Sequence, residues 1–389
     1  MHCPVFPALR PLLPALLVAA LAGCMATAPP TTDPHAEARA AFDQGRLHRV
    51  IDLLQPLAAR GETSPDEMHM LADAHMRRGD GGAALPILEA VRPLESANEQ
   101  TETLRKMGKA AALAGQYPRA IAHLREANGR TPRAESLRLL TELLIASAAI
   151  PEAIETGQAA VRMDIENPDG FVLLATAFTL EGVRSQALTA ARRAESLGAA
   201  SAESLVALGN IHLAFDRLPE AIERHERAIA LAPSHVEAHQ KLGLAQTLFG
   251  DAAGAVQTLQ RARSLAPDNV EILNNLGVAL SELQLHAEAA EAYGEAHRLA
   301  PEAAVLLFNQ ADALALDGRP MEAASLLRSS TFAPDEAPRA EALASRLEAL
   351  SETAQAACQS PSEGRLSGDA PATPSLEERI LQAAIARCR

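Results

Sequence analysis

The sequence has no tryptophan, two tyrosines and eight phenylalanines in 389 residues, so aromatics make up only 3%. Sandwiches and barrels of β-strands draw on Val, Ile, Tyr, Phe and Trp. This chain draws instead on Ala, Leu, Glu and Arg, all strong helix formers. The same scarcity argues against pockets lined with stacked rings, of the kind that hold bases or flat cofactors. Lysine is nearly missing as well, with only Lys106, Lys109 and Lys241. Against 35 basic residues stand 49 acidic ones, for a formal charge of −14. That balance argues against a surface made for nucleic acid or an anionic membrane. No Gly-x-Ser-x-Gly, His-Glu-x-x-His or P-loop pattern is present, so no enzyme activity and no cofactor is expected. Acid pairs are abundant, but they are spaced as on solvated helix faces. What remains is a long chain rich in Ala and Leu, which implies helices approaching closely in two or three domains or in one elongated array.

The first 23 residues read as an address. Arg10 precedes an apolar run, Pro11 to Leu21, too short to span a bilayer but suited to the core of a secretory signal. Leu21-Ala22-Gly23-Cys24 follows and resembles the lipobox of bacterial lipoproteins. The resemblance implies cleavage before Cys24 and lipidation of its thiol. Met25 in place of Asp after the cysteine implies the outer membrane. Cleavage would remove Arg10 and no acid, making the net charge one unit more negative. Ala26 to Pro34 is rich in Ala, Thr and Pro and reads as a flexible tether.

Self-similarity dominates the rest. Leu208-Gly209, Leu242-Gly243 and Leu276-Gly277 recur with a period of 34. Ala221, Ala255 and Ala289 share a second position, Ala228, Ala262 and Ala296 a third, and Pro233, Pro267 and Pro301 a fourth. Two antiparallel helices, A and B, explain these positions. Small residues at the Gly and first Ala positions allow A and B to cross closely, and the second Ala lets B approach the next A. Proline stops B, because it cannot continue a helix. Gly115, Gly182, Gly250 and Gly318 fall at the A–B turns. Weaker matches extend the register in both directions through Met107-Gly108, Ala120, Ala127, Ala153, Ala160, Ala175, Ala187 and Ala194, and through Ala38, Gly45, Gly79 and Ala84. Gly79-Asp80-Gly81-Gly82 looks like a phosphate loop in composition, but its place in the register makes it an A–B turn.

This pattern resembles the tetratricopeptide repeat (TPR). The resemblance implies an all-α solenoid, a right-handed superhelix of antiparallel helix pairs. The layout is a lipoprotein signal at 1–23, a lipidated cysteine and tether at 24–34, and about nine repeats over 35–335. A capping helix at 336–357, with Leu343, Leu347 and Leu350 on one face, and a linker plus amphipathic helix at 358–389 complete it. The last helix has Thr373 as its cap and a stripe of Leu376, Ile380, Leu381, Ala384 and Ile385.

Cys358 and Cys388 remain after the signal and lipid cysteines are set aside. They form an even pair in an oxidising compartment and are the candidate disulfide, closing the last helix onto the array. His235 and His239 have an i, i+4 spacing with His225 nearby, but the spacing straddles the turn at Pro233 and no metal is expected. In the resembled family, helix A lines the concave surface through its second, fifth, ninth, twelfth and thirteenth positions. Here the first four of those give Glu203, Val206, Asn210 and Leu213, then Glu237, Gln240, Leu244 and Thr247, then Glu271, Asn274, Val278 and Ser281. Mixed amides and apolar side chains suit a peptide; the same residues also suit an ordinary solvated face. A clamp for a terminal carboxylate is not expected, because Val206 and Gln240 stand where lysines are needed.

The whole layout is similar to TPR lipoproteins of pilus and secretion systems. That implies a scaffold at the periplasmic face of the outer membrane, binding a secretin or another machine component through its groove. A scaffold in exopolysaccharide export and a regulator of a cell-envelope enzyme remain open alternatives.

Overall fold

The computed structural model describes residues 33–359 and 374–388. The signal sequence, Cys24 and the linker at 360–373 lie outside the described residues. Two compact units are present, one ending at Leu143 and one beginning at Leu144. The first holds α1 (Pro34–Asp43), α2 (Leu47–Ala59), α3 (Pro65–Arg77), α4 (Gly81–Val91), α5 (Ala97–Leu113), α6 (Tyr117–Arg130) and most of α7 (Ala134–Ala146). The second holds α8 (Ile150–Met163), α9 (Pro168–Leu180), α10 (Arg184–Ser196), α11 (Ala202–Ala214), α12 (Leu218–Leu231) and α13 (Val236–Phe249). It continues with α14 (Ala252–Leu265), α15 (Val270–Glu282), α16 (His286–Leu299), α17 (Ala304–Leu316), α18 (Pro320–Ser329), α19 (Ala337–Gln359) and α20 (Leu376–Cys388). No strand occurs among the described residues. Up to α18, odd helices are A and even helices are B.

Local chemistry sets the helix ends. Asn167 and Asn269 cap α9 and α15 with their side chains, and Ser64 with Glu67 forms a reciprocal capping box on α3. Between A and B one residue turns left-handed. Gly45, Gly79, Gly115, Gly182, Gly250 and Gly318 serve six of these turns, whereas Ala148, Asp216 and Gln284 adopt positive φ in the other three. Such a turn reverses the chain in few residues, which places B antiparallel on A.

The small residues lie where the helices cross. In the second unit, a Cβ built on Gly209, Gly243 or Gly277 would stand 2.6, 2.4 or 2.6 Å from the side chains of His225, Leu259 or Tyr293. Each of these is the residue sixteen positions later, on helix B. Gly108 and Leu124 make the same contact in the first unit. Ala221, Ala255, Ala289, Ala228, Ala262 and Ala296 are all fully buried. Close crossing between helices therefore substitutes for large rings as the source of burial, as expected from composition. In the second unit the A helices also touch one another from repeat to repeat, α9 with α11, α11 with α13 and α13 with α15.

The second unit ends on two further helices. α19 buries Ala340, Ala344, Leu347, Ser351 and Ala354, packing chiefly on α18 and α20. Leu343 and Leu350, expected on the same face as Leu347, are half-buried at its edge. α20 lies across α19 and α17 with Ile380 and Ala384 buried. Gly318 is close enough to α20 that a Cβ there would stand 2.6 Å from the Ala383 carbonyl. Arg387 pairs with Asp317 at 2.6 Å, while Leu376 stays 48% exposed. Cys358 is disulfide-bonded. The side chain of Cys388, its expected partner, lies outside the described ones.

The candidate functional site on the A helices

In the second unit the A helices carry the residues expected to line a groove. Glu203, Glu237 and Glu271 stand exposed in the first turns of α11, α13 and α15, and Asp169 holds the same position on α9. Leu213, Leu244, Thr247, Val278 and Ser281 are half-buried, while Val206 is only 4% exposed and belongs to the core. The thirteenth repeat position adds apolar surface: Leu180 and Leu248, at or next to the ends of their A helices, are more than half exposed, at 57% and 58%.

The amides expected to meet a peptide are already engaged. Asn210 donates from Nδ2 to Glu237 Oε1 of the next repeat at 2.9 Å. Gln240, only 6% exposed, donates to Glu271 one repeat on. Asn274 accepts from Asn309 Nδ2 at 3.2 Å, and Ser204 donates to Asp169 Oδ1 at 3.0 Å. A ladder of neutral donors thus runs between adjacent A helices and orients the carboxylates. It fixes the spacing of the repeats, because a buried amide left without a partner would cost about 1–3 kcal/mol. The amide oxygen of Asn210 is buried and has no donor. The ladder joins residues 27, 31 and 35 apart, offsets that follow from the 34-residue period once the facing positions are known.

At the end of the array the face is covered. Arg339 of α19 sets its guanidinium 4.4 Å over the Phe308 ring of α17, and Phe332 packs against the same ring at 5.5 Å between centroids. Beside them Asp312 is held above the ordinary carboxylate range by burial, which the Arg339 charge partly offsets. The open part of the face therefore runs over α9, α11, α13 and α15.

The histidines serve packing and capping. His235 caps α13 by accepting from Ala238 N–H through Nδ1, and His239 Nε2 lies 3.0 Å from the Pro233 carbonyl. His225 is fully buried against Gly209, with neither ring nitrogen hydrogen-bonded. No group of three His, Cys, Asp or Glu among the described residues is placed to hold a metal ion. Asp80, within the glycine-rich run, caps α4 by accepting from Ala83 N–H at 2.9 Å. Gly81 beside it packs directly on the Ala110 carbonyl of α5.

One polar cluster escaped sequence reasoning, because its members sit at unrelated repeat positions. In the first unit His69 Nε2 lies 2.5 Å from Glu95 Oε1, and Thr103 Oγ1 donates to Glu95 Oε2 at 2.7 Å. Thr103 is completely buried and the imidazole uses the same nitrogen toward both neighbours. The cluster ties the short turn at Arg92–Leu94 to α3 and α5; it presents no accessible nucleophile.

The family profile of the tetratricopeptide repeat matches residues 206–270 and 241–304. This stretch is a run of tetratricopeptide repeats. Similar helix arrays occur in solved structures. The Cut9–Hcn1 hetero-tetramer of the APC/C is 19% identical, with a TM-score of 0.51 over 77% of this chain and 59% of that one. A tetratricopeptide repeat protein from Parabacteroides merdae is 13% identical, with a TM-score of 0.50 over 63% of this chain and 97% of that one. PilF of Pseudomonas aeruginosa is 19% identical, with a TM-score of 0.45 over 52% of this chain and 91% of that one. At these identities the likeness concerns the fold. No curated protein matches the chain in sequence. The repeats are those of a scaffold for protein–protein interaction.

Proposed function

We propose that this chain is a periplasmic scaffold lipoprotein, anchored to the outer membrane through Cys24, that assists assembly of a pilus or secretion machine. The order of lipobox, short tether and repeat array is similar to that of the Flp/Tad pilus assembly protein TadD. The observation that carries the scaffold reading is the open A-helix face, with Leu180 and Leu248 uncovered on the same face as a row of carboxylates. Apolar side chains left exposed on the same helix face as a row of carboxylates suit a surface that takes up a protein segment. The anchor rests on Leu21-Ala22-Gly23-Cys24 and the Pro- and Thr-rich tether after it. No helix among the described residues is long and apolar enough to cross a membrane. The lipid would hold the scaffold at the membrane and the face would hold its client, such as a secretin subunit.

Fractionation and crosslinking of cells carrying Cys24→Ala test this. The variant is expected to leave the membrane fraction and to lose both its crosslinked outer-membrane partner and that partner's assembly. Normal assembly supported by the soluble form would sink the tethering model. Genes for pilin, secretin and an assembly ATPase beside this one are expected; glycosyltransferase genes there would favour polysaccharide export instead.

A further inference from the structure

Charge is sorted between the two ranks of helices in the second unit. From α9 to α17 the A helices hold Asp169, Glu203, Glu237, Glu271, Glu282 and Asp312, against one cation, Lys241. The B helices from α10 to α18 mix Arg with Glu and pair them across repeats, Arg224 with Glu195 at 2.9 Å and Arg263 with Glu295 at 2.7 Å. Among the described residues none of the six A-helix carboxylates forms an ion pair, and only Asp312, under Arg339, feels a cation of α19; the hydrogen bonds to Asp169, Glu237 and Glu271 come from Ser204, Asn210 and Gln240. Neutral donors orient Asp169, Glu237 and Glu271 without cancelling their charge.

The helix dipole accounts for part of this pattern only. An acid in a first turn is favoured by the dipole, which suits Asp169, Glu203, Glu237 and Glu271. It disfavours Glu282, exposed at the C-terminal end of α15. Repeating like charges on successive helices also costs repulsion that a folding requirement would not impose. On the same face lie the uncovered Leu180 and Leu248, and the buried Asn210 oxygen without a donor.

We propose that the open face of α9, α11, α13 and α15 binds a cationic, leucine-containing segment of a partner protein. Its Lys or Arg side chains would lie against Glu203, Glu237, Glu271 and Glu282, and its apolar side chains against Leu180 and Leu248. This rests on the reading of that face as the docking surface and adds the partner's chemistry. Charge complementarity would speed encounter and select partners, while apolar burial holds the complex.

The test uses the full chain in detergent and labelled peptides of about 20 residues, long enough to cross several repeats. One peptide interleaves Lys with Leu and Ser; two others carry Gln or Glu in place of every Lys. The Lys peptide is expected to bind at least about tenfold tighter than either, and more weakly at about 300 mM than at about 50 mM salt. Glu203→Gln, Glu237→Gln, Glu271→Gln and Glu282→Gln together keep the acceptor oxygens and remove the charges. They should weaken the Lys peptide by about tenfold or more, with an unchanged melting temperature. Glu226→Gln, Glu288→Gln, Glu291→Gln and Glu302→Gln make the same change of net charge elsewhere and should leave binding within about twofold. Equal binding of the Gln peptide would overturn the charge proposal and leave the docking face standing. An equal loss from both sets of variants would overturn the proposal and move the site off this face. Failure of the Lys peptide to bind would also overturn it, and partner crosslinking would then judge the docking face by itself.

Discussion

His225 fills, on α12, the position that Leu124, Leu259 and Tyr293 fill in other repeats: the space left by a glycine on helix A. It is completely buried, and burial lowers its imidazole to about 4, with the charge of Lys241 adding to the shift. A base whose folded pKa is depressed binds its proton more readily when unfolded. Stability is therefore whole above the unfolded value of about 6.5 and falls as pH drops toward 4, by roughly 3 kcal/mol. His225→Leu, which copies Leu259, should remove this acid-labile window; urea unfolding at pH 7 and near pH 4.5 would show it as a smaller difference than in the parent chain. The glycines themselves make the opposite case. Gly277→Ala gains helix propensity of up to about 1 kcal/mol, yet its methyl would meet the Tyr293 ring at 2.6 Å. Overpacking should win, lowering stability by about 1–3 kcal/mol, measured as a lower melting temperature.

At the scale of elements, the A–B turn is the unit that recurs most faithfully. Three of its nine examples among the described residues use a side chain where glycine would be unstrained: Ala148, Asp216 and Gln284. An aspartate tolerates the left-handed region better than alanine or glutamine does. Ala148→Gly and Gln284→Gly should therefore each stabilise by about 1 kcal/mol, offset partly by the greater entropy of an unfolded glycine. Thermal or denaturant melts of the single variants would measure the gain; a loss at both would show that the surroundings already relieve the strain. The stops at Pro233, Pro267 and Pro301 were legible in the sequence because proline acts locally, whereas the cap of α20 is Ser375, which accepts from Glu378 N–H, and the expected Thr373 lies outside the described residues. The hydrogen bonds between successive A helices were not legible, since they depend on how far one helix turns against the next. Asn210, Gln240 and Asn274 thus read as peptide-facing amides and prove to be rungs between repeats.

At the scale of the molecule, the described helices pack chiefly on their neighbours along the chain, so an end of the array can open without the middle. α20 is held by Ile380 and Ala384, by Arg387 on Asp317, and by its close approach to Gly318. Ile380→Asp should release it: amides of α20 would exchange quickly by hydrogen-exchange mass spectrometry, while those of α11 to α15 keep their protection. Loss of protection throughout would mean that α20 supports the whole second unit. Non-reducing mass spectrometry of the mature protein should recover a peptide joining Cys358 to Cys388, whereas alkylation of both thiols without reduction would exclude that pairing. A bridge across the loop between them would add about 3–4 kcal/mol to the docking of the tail in the chain-entropy picture.

The sequence alone determined the helix class, the 34-residue register, the left-handed turns at Gly115, Gly182, Gly250 and Gly318, and the positions where helices must cross closely. Those features follow from residue volume and backbone freedom, which each residue carries wherever it stands. The tertiary structure decided which carboxylates are left without a cation, which amides are spent between repeats, and that α19 closes the face at Phe308 and Asp312 while α20 seals the end. Each of these depends on side chains 20 or more residues apart being brought within about 3–5 Å, a matter of helix crossing and rotamer that no local pattern encodes.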